Sequence, residues 1–212
     1  MATFTRRDLT LAAVAVVRIL GIDPGTQVVG YGCLEVSLAG VRRPSGEVPL
    51  ALRASNTVLS GGSTRDVRMV AMGVMRLGGR SADLSSRLLS LADQFRGLLT
   101  ELKPDEVALE EAFYGKSVQA ALRIGEARGV VLAESARVGA PVHQFAPARI
   151  KRVVTGRGAA KKETVAAMVE QLLRVGTIGG EGVPHDATDA LAVAWTRLEQ
   201  RRSPLLHVAE GL

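Results

Sequence analysis

The chain has 212 residues, of which 47% are hydrophobic, and its 27 Lys and Arg residues outnumber its 21 Asp and Glu residues to give a net charge of +6. A chain of this length can fold without a disulfide or a structural metal, and its single cysteine, Cys33, excludes a disulfide framework and a Cys-rich zinc site. The composition excludes wholesale disorder, and no apolar run approaches the roughly 20 residues of a membrane span. We therefore expect one globular domain in a cytoplasmic protein.

Both ends of the chain are expected to lie outside this domain. Residues 1–17 are interpreted as an N-terminal extension, either disordered or the product of an upstream start site. Their apolar run after Arg6 and Arg7 leads straight into a strand, without the cleavage site of an export signal. Residues 18–202 form the domain, and residues 203–212 are expected to be a flexible tail.

Three short apolar runs near the start of the domain predict an antiparallel meander. A turn containing Pro24 and Gly25 separates the first two runs, which is the spacing of a hairpin. A third run follows a longer loop. The predicted strands comprise residues 18–23, 28–36 and 52–59. Residues 64–80 carry methionines at spacings of three and fit either an amphipathic helix or an ordered insertion.

The pattern then changes to alternating helices and strands. Apolar residues at helical spacing end before Pro104 and lead into a short apolar strand, so the chain crosses over to a parallel strand. The predicted helices comprise residues 88–102, 117–138, 161–175 and 185–201, and the predicted strands comprise 106–110 and 141–145. The expected fold class is α/β, with helices flanking a mixed five-stranded sheet of three antiparallel meander strands and two parallel strands.

Four carboxylates are predicted to converge at one edge of this sheet. Asp23 and Glu110 end two apolar strands, which would place them side by side if the strands are parallel neighbours. Asp186 and Asp189 are three residues apart at the start of an apolar helix and share one face. Converging acids repel one another unless cations hold them. Oxygen-only ligands favour two Mg²⁺ ions, with Mn²⁺ as a substitute, and such a pair is suited to phosphodiester hydrolysis.

Each of these acids also has a purely structural interpretation. Asp23 could be a turn residue, Asp186 and Asp189 could begin a helix, and Glu110 could be an anion in a solvent-facing loop. Only the coincidence of all four at the ends of central elements favours a metal site.

Basic residues are concentrated between positions 149 and 163, where six Lys and Arg residues accompany only Glu163. Such a stretch is typical of a protein with a polyanion partner, although most charge runs are solvated helix faces. The charge pattern alone leaves both interpretations open.

Five motifs occur in a fixed order along the chain. They are GIDPGT at residues 21–26, GYG at 30–32, ALEEAF at 108–113, GEARG at 125–129 and DATDALA at 186–192. Their order and spacing resemble those of the RuvC family of Holliday junction resolvases. The resemblance implies a ribonuclease H-like fold, a homodimer, and Mg²⁺-dependent symmetric cleavage of four-way DNA junctions in recombination and repair. It further implies a RuvA-RuvB branch-migration complex as partner.

The same resemblance implies roles for single residues. The family's four metal-binding acids match Asp23, Glu110, Asp186 and Asp189, and Lys162 is expected to act with them in catalysis. Lys151 and Lys162 match basic positions beside the scissile phosphate. The expected DNA contacts are therefore Phe113, which would stack on an unpaired base, with Lys116, Arg123, Lys151 and Lys162.

Other functions stay open at this point. A sugar-kinase or actin-like ATP-binding module also begins with an acidic residue in a D-x-G-T turn, but it needs a longer chain with a second phosphate motif. A junction-binding protein without catalysis would not need all four acids. A ribonuclease H-like nuclease with another substrate specificity is the alternative that the pattern excludes least.

Overall fold

In the part of the chain that the computed structural model describes, five strands form one mixed sheet. The structure describes residues 14–42, 67–79, 81–112, 118–174 and 184–202. The strands are β1 (Val14–Asp23), β2 (Val28–Arg42), β3 (Val67–Arg76), β4 (Glu106–Glu110) and β5 (Val142–Phe145). Their order is β3-β2-β1-β4-β5; β1 to β3 pair antiparallel, and β4 pairs parallel with both β1 and β5. The predicted fold class is confirmed.

Helices cover both faces of the sheet and enclose two apolar cores. The helices of the described ranges are α1 (Leu84–Leu102), α2 (Val118–Arg137), α3 (Pro147–Thr155), α4 (Lys162–Leu173) and α5 (His185–Arg202). Helices α1 and α2 pack on one face, and α3, α4 and α5 pack on the other. None of these helices combines the length and the apolar composition needed to cross a membrane.

The predicted position of the third strand was wrong. The strand that pairs with β2 is β3, whereas residues 52–59 lie outside the described residues. The same pairing contradicts the amphipathic helix considered for residues 64–80. An irregularity in the β2–β3 register lets Met69 and Met72 pack on the same face despite their odd spacing, and Met75 packs on the other. The β-bulge therefore accounts for the same-face packing of Met69 and Met72 at a spacing of three.

The first strand also begins earlier than predicted. Strand β1 starts at Val14 and pairs with the end of β2, so residues 14–17 of the expected extension belong to the sheet. Val17 is buried in the core under α3, α4 and α5. Residues 1–13 and 203–212 lie outside the described residues.

Glycines in β1 and β2 allow α5 to lie directly against the sheet. A Cβ atom added at Gly21 would lie 2.0 Å from the carbonyl oxygen of Ala190, and one at Gly30 would lie 1.9 Å from that of Asp186. Both distances are far below van der Waals contact, so any side chain at either position would push α5 outwards. The start of α5 is therefore held next to the carboxyl end of β1, where Asp23 lies.

We expect Gly21→Ala to lower the free energy of unfolding by about 1 to 3 kcal/mol, because the new methyl group has no room beneath α5. Urea denaturation followed by circular dichroism would measure the change. The control is Gly97→Ala on α1, where an added Cβ meets nothing within 4 Å. The Gly97→Ala variant is expected to have a free energy of unfolding higher by about 0.5 to 1 kcal/mol. Equal effects in both variants would contradict the tight packing.

Candidate active site

Two carboxylates end adjacent parallel strands at one edge of the sheet. The register pairs Ile22 of β1 with Leu109 of β4, so the next residues, Asp23 and Glu110, stand side by side. Their side chains are hydrogen-bonded to each other. Ile22 and Leu109 pack under α1 and α2, and because side chains alternate along a strand, both acids face α3, α4 and α5.

Helix α4 adds a basic side chain to this edge, and helix α5 adds an acidic one. The Nζ of Lys162, in the first turn of α4, donates a 2.7 Å hydrogen bond to Oδ2 of Asp189 on α5. The Lys162 side chain is 63% exposed and that of Asp189 is 18% exposed, so the ammonium group lies on the solvent side of the carboxylate.

These groups share one cavity of about 280 Å³. Its polar lining consists of Asp23, Glu110, Lys151, Lys162 and Asp189, and its apolar lining consists of Pro147, Ile150, Val165 and Ala192. Three of the four predicted acids and both lysines predicted to lie beside the scissile phosphate therefore meet in one place.

The remaining predicted site residues lie elsewhere or outside the described ranges. Asp186 does not line the cavity; its backbone carbonyl faces Gly30, and its carboxylate acts on Lys162 electrostatically. Arg123 lies on α2, the helix on the other face of the sheet, and pairs with Glu126 at 3.2 Å. Phe113 and Lys116 fall among residues that the structure does not describe.

Burial makes the ionised form of this acid pair unfavourable. The pKa of Asp23 rises from 3.8 to about 8, mainly because the carboxyl is buried and also because Glu110 and Asp189 repel its charge. Burial likewise raises the pKa of Glu110. The pKa of Lys162 is raised by its hydrogen bond to Asp189. Without a bound cation, the Asp23 and Glu110 pair retains a proton near neutral pH.

The donor set fits a hard divalent cation. Its donor atoms are carboxylate oxygens, and their burial and mutual repulsion favour a bound positive charge in place of a proton. As placed, no three Asp, Glu, His or Cys side chains in the described ranges are arranged to share one ion. Asp23 is instead bonded to Glu110, and Asp189 to Lys162. Ion binding would therefore replace the proton of the acid pair and the Lys162 contact.

Helix α3, which carries Lys151 and Ile150 into the cavity, was not predicted from the sequence. Two signals mark its ends: Pro147 occupies the first turn, and Gly156 follows the last turn in the left-handed conformation with φ of 79°. This placement of proline and glycine is typical of helix termini. These two residues are the signals in the sequence from which α3 could be predicted.

Solved structures share this fold. Thermus thermophilus RuvC in complex with a Holliday junction substrate superposes with a TM-score of 0.68 at 25% identity, covering 89% of this chain and 96% of that one. The yeast mitochondrial Holliday junction resolvase has a TM-score of 0.54 at 14% identity, covering 92% of this chain and 83% of that one, and shows a likeness of fold alone. The chain thus has a ribonuclease H-like fold with a carboxylate-lined cavity at the sheet edge.

Sequence relatives identify the family within that fold. The family model described as crossover junction endodeoxyribonuclease RuvC matches residues 49–197. A protein with that description from Halorhodospira halophila is 37% identical over 92% of this chain and 97% of its own length. One from Chlorobium phaeovibrioides is 38% identical over 83% of this chain and 78% of its own length. The chain belongs to the RuvC family of crossover junction endodeoxyribonucleases, as the motifs predicted.

The match to the Halorhodospira halophila relative spans 194 residues of this chain of 212. Family membership also decides against the sugar-kinase or actin-like alternative.

We expect Asp23→Asn to raise the melting temperature by about 2 °C or more at pH 8 without divalent cations, and by less at pH 5. The pKa of Asp23 is about 8 in the folded protein and 3.8 ordinarily, so folding takes up a proton between these values. Wild-type stability therefore falls as the pH rises from about 4 to about 8, and the neutral amide removes this loss. Thermal unfolding in a chelator would measure it. An equal difference at both pH values would contradict the buried acid pair.

Proposed function

We propose that this protein is a structure-selective endonuclease that resolves four-way DNA junctions in recombination and repair by symmetric, Mg²⁺-dependent phosphodiester hydrolysis. The observation that carries the proposal is the cavity in which Asp23, Glu110 and Asp189 meet Lys151 and Lys162. Membership of the crossover junction endodeoxyribonucleases supports the reaction class. The relative from Thermus thermophilus, solved in complex with a Holliday junction substrate, supports the choice of DNA.

The acids would hold two divalent ions, Mg²⁺ or Mn²⁺. Asp23, Glu110 and Asp189 offer the oxygens inside the cavity, and Asp186 at the start of α5 is the fourth ligand that the family resemblance implies. Bound ions would supply Lewis-acid chemistry at the phosphodiester. The protein contributes the fixed, partly buried carboxylates, whose mutual repulsion favours cation binding.

The lysines would bind the phosphate group that reacts. Lys151 and Lys162 both line the cavity, and phosphate contacts from lysine side chains provide affinity that weakens with salt. Lys162 lines the same cavity, so once an ion has replaced it beside Asp189 its charge is free to stabilise negative charge that develops during hydrolysis. Phe113, Lys116 and Arg123 remain proposed DNA contacts away from the cavity.

The symmetry of the substrate favours a homodimer. Cutting two strands of like polarity requires two sites related by a two-fold axis. On α2, Ala127 and Val131 are buried against the chain's own sheet, whereas Val118 and Leu122 are exposed. The first half of α2 is thus the part available to a second copy. The RuvA-RuvB complex is proposed as a further partner.

We expect the purified protein to cleave a mobile four-way junction only when Mg²⁺ or Mn²⁺ is present, and to leave a linear duplex and a flap largely intact. Asp23→Asn should lower the junction cleavage rate by about 10³-fold or more, because it removes a metal-binding carboxylate, while junction affinity changes little. Gel assays of cleavage and binding on the same three substrates would measure both.

Two results would contradict this proposal. A preference for the linear duplex or the flap would favour a ribonuclease H-like nuclease of another specificity. Undiminished cleavage by the Asp23→Asn variant would remove Asp23 from the reaction.

We expect Lys162→Gln to reduce the cleavage rate by about 10²-fold while changing junction affinity by no more than about threefold, because its charge acts most strongly on the transition state. The matched control is Lys161→Gln, since Lys161 is the adjacent, exposed lysine and does not line the cavity. Single-turnover cleavage and filter binding would separate the two effects. Equal losses of binding and cleavage in Lys162→Gln would assign Lys162 to binding alone.

A further inference from the structure

A second group of charges is buried on the same face of the sheet, away from the cavity. Glu106, the first residue of β4, is 1% exposed and accepts hydrogen bonds from two arginines of α5. Arg197 donates twice, with Nε at 2.7 Å from Oε2 and Nη2 at 3.2 Å from Oε1, and the Nη1 of Arg201 also donates to Oε1. The arginine side chains are 4% and 1% exposed.

The neighbouring histidine does not form a charged pair with Glu106. Nε2 of His143 lies 3.9 Å from Oε2 of Glu106. Burial and the charge of Arg197 lower the pKa of His143 to about 4, so its imidazole is neutral near pH 7. The charge of Glu106 is therefore paired with those of the two arginines. These three residues form the Glu106 cluster.

The Glu106 cluster joins the same two elements that bring Glu110 and Asp189 into the cavity. Strand β4 runs from Glu106 towards Glu110, and α5 runs in the opposite sense, from Asp189 towards Arg197. Gly30, which pairs with Asp23, lies against Asp186, and Gly21, two residues before Asp23, lies against Ala190 and Ala194, so these close approaches show the same direction.

The distances along the two elements match. Four residues of strand from Glu106 to Glu110 span about 13 Å, and eight residues of helix from Arg197 back to Asp189 span about 12 Å. A helix fixed at Arg197 against Glu106 therefore presents Asp189 opposite Glu110. One residue of sliding along the helix axis would displace Asp189 by about 1.5 Å.

We propose that the Glu106 cluster positions the catalytic acids by fixing the place of α5 along β4. Glu106, Arg197 and Arg201 are positioning residues in this view, since they act on the cavity through α5 and do not line it. A forked two-point contact between arginine and carboxylate fixes geometry, whereas buried ion pairs are poor sources of stability compared with apolar packing. The proposal rests on the proposed nuclease function for its activity measurement only.

The first test is Arg197→Lys, which keeps the charge but removes the forked contact. We expect the Mn²⁺ affinity of the folded protein, measured by calorimetry, to fall about tenfold, and the junction cleavage rate at saturating Mn²⁺ to fall about tenfold or more. Junction affinity without divalent ions should stay within about twofold of wild type. All measurements are made where circular dichroism shows the variant to be folded.

The chain offers a matched control on the opposite face of the sheet. Arg96 on α1 makes the same two-point contact with Glu134 on α2, at 2.8 and 2.9 Å. Neither residue lines the cavity, and their helices pack on the face of the sheet opposite to α5. Arg96→Lys is expected to leave both Mn²⁺ affinity and cleavage rate unchanged. An equal fall in Arg96→Lys would show a general loss of rigidity and overturn the positioning role.

A second variant separates positioning from stability. Combining Glu106→Leu, Arg197→Met and Arg201→Met replaces the Glu106 cluster with apolar side chains, an exchange that proteins often tolerate. We expect this variant to fold and to show the same two losses as Arg197→Lys, or larger ones. Wild-type Mn²⁺ affinity and cleavage rate in the folded triple variant would overturn the proposal. Failure of the wild type itself to cleave junctions would refute the proposed function, while the Mn²⁺ affinities would still test the positioning.

Discussion

The site depends on how closely α5 approaches β1 and β2. Backbone atoms of Ala190 and Asp186 occupy the space where side chains of Gly21 and Gly30 would otherwise stand. This contact brings the first turns of a nearly fully buried helix to the end of β1, where Asp23 lies. The parallel pairing of β1 with β4 supplies the neighbouring Glu110. The acids are thus assembled by backbone geometry, and no flexible loop among the described residues has to place them.

That assembly has an electrostatic cost that the fold offsets locally. Burial and mutual repulsion oppose full ionisation of Asp23 and Glu110. The two side chains are hydrogen-bonded to each other, which offsets part of this cost. Asp189 is balanced by Lys162, which approaches from α4 on the solvent side. The raised pKa values of Asp23 and Glu110 mean that a bound positive charge is favoured over two free, ionised carboxylates. Binding of a cation would replace the hydrogen bonds that hold these groups in the structure.

The parts of the fold and of the site that could be predicted are those that depend on local sequence patterns. Strands β1, β2 and β4 and helix α5 follow from local apolar patterns, and the acids at their ends follow from the rule that parallel strands end together. β3 was misplaced because its bulge mixes two periodicities. The buried pairing of Glu106 with Arg197 joins positions 91 residues apart, so no local sequence pattern predicts it. An arginine within the apolar run of α5 was the available signal.

The placement of the β2 to β3 connection has a consequence for how this chain can vary. Strand β2 leaves the sheet at Arg42, opposite Val14, and β3 enters at Val67, opposite Val36, so both anchor points lie at the end of the sheet remote from Asp23. Changes at these two strand ends are therefore made at the end of the sheet opposite the acids. A fluorophore or an affinity tag attached at Arg42 or Val67 would have its attachment point at this end, away from Asp23.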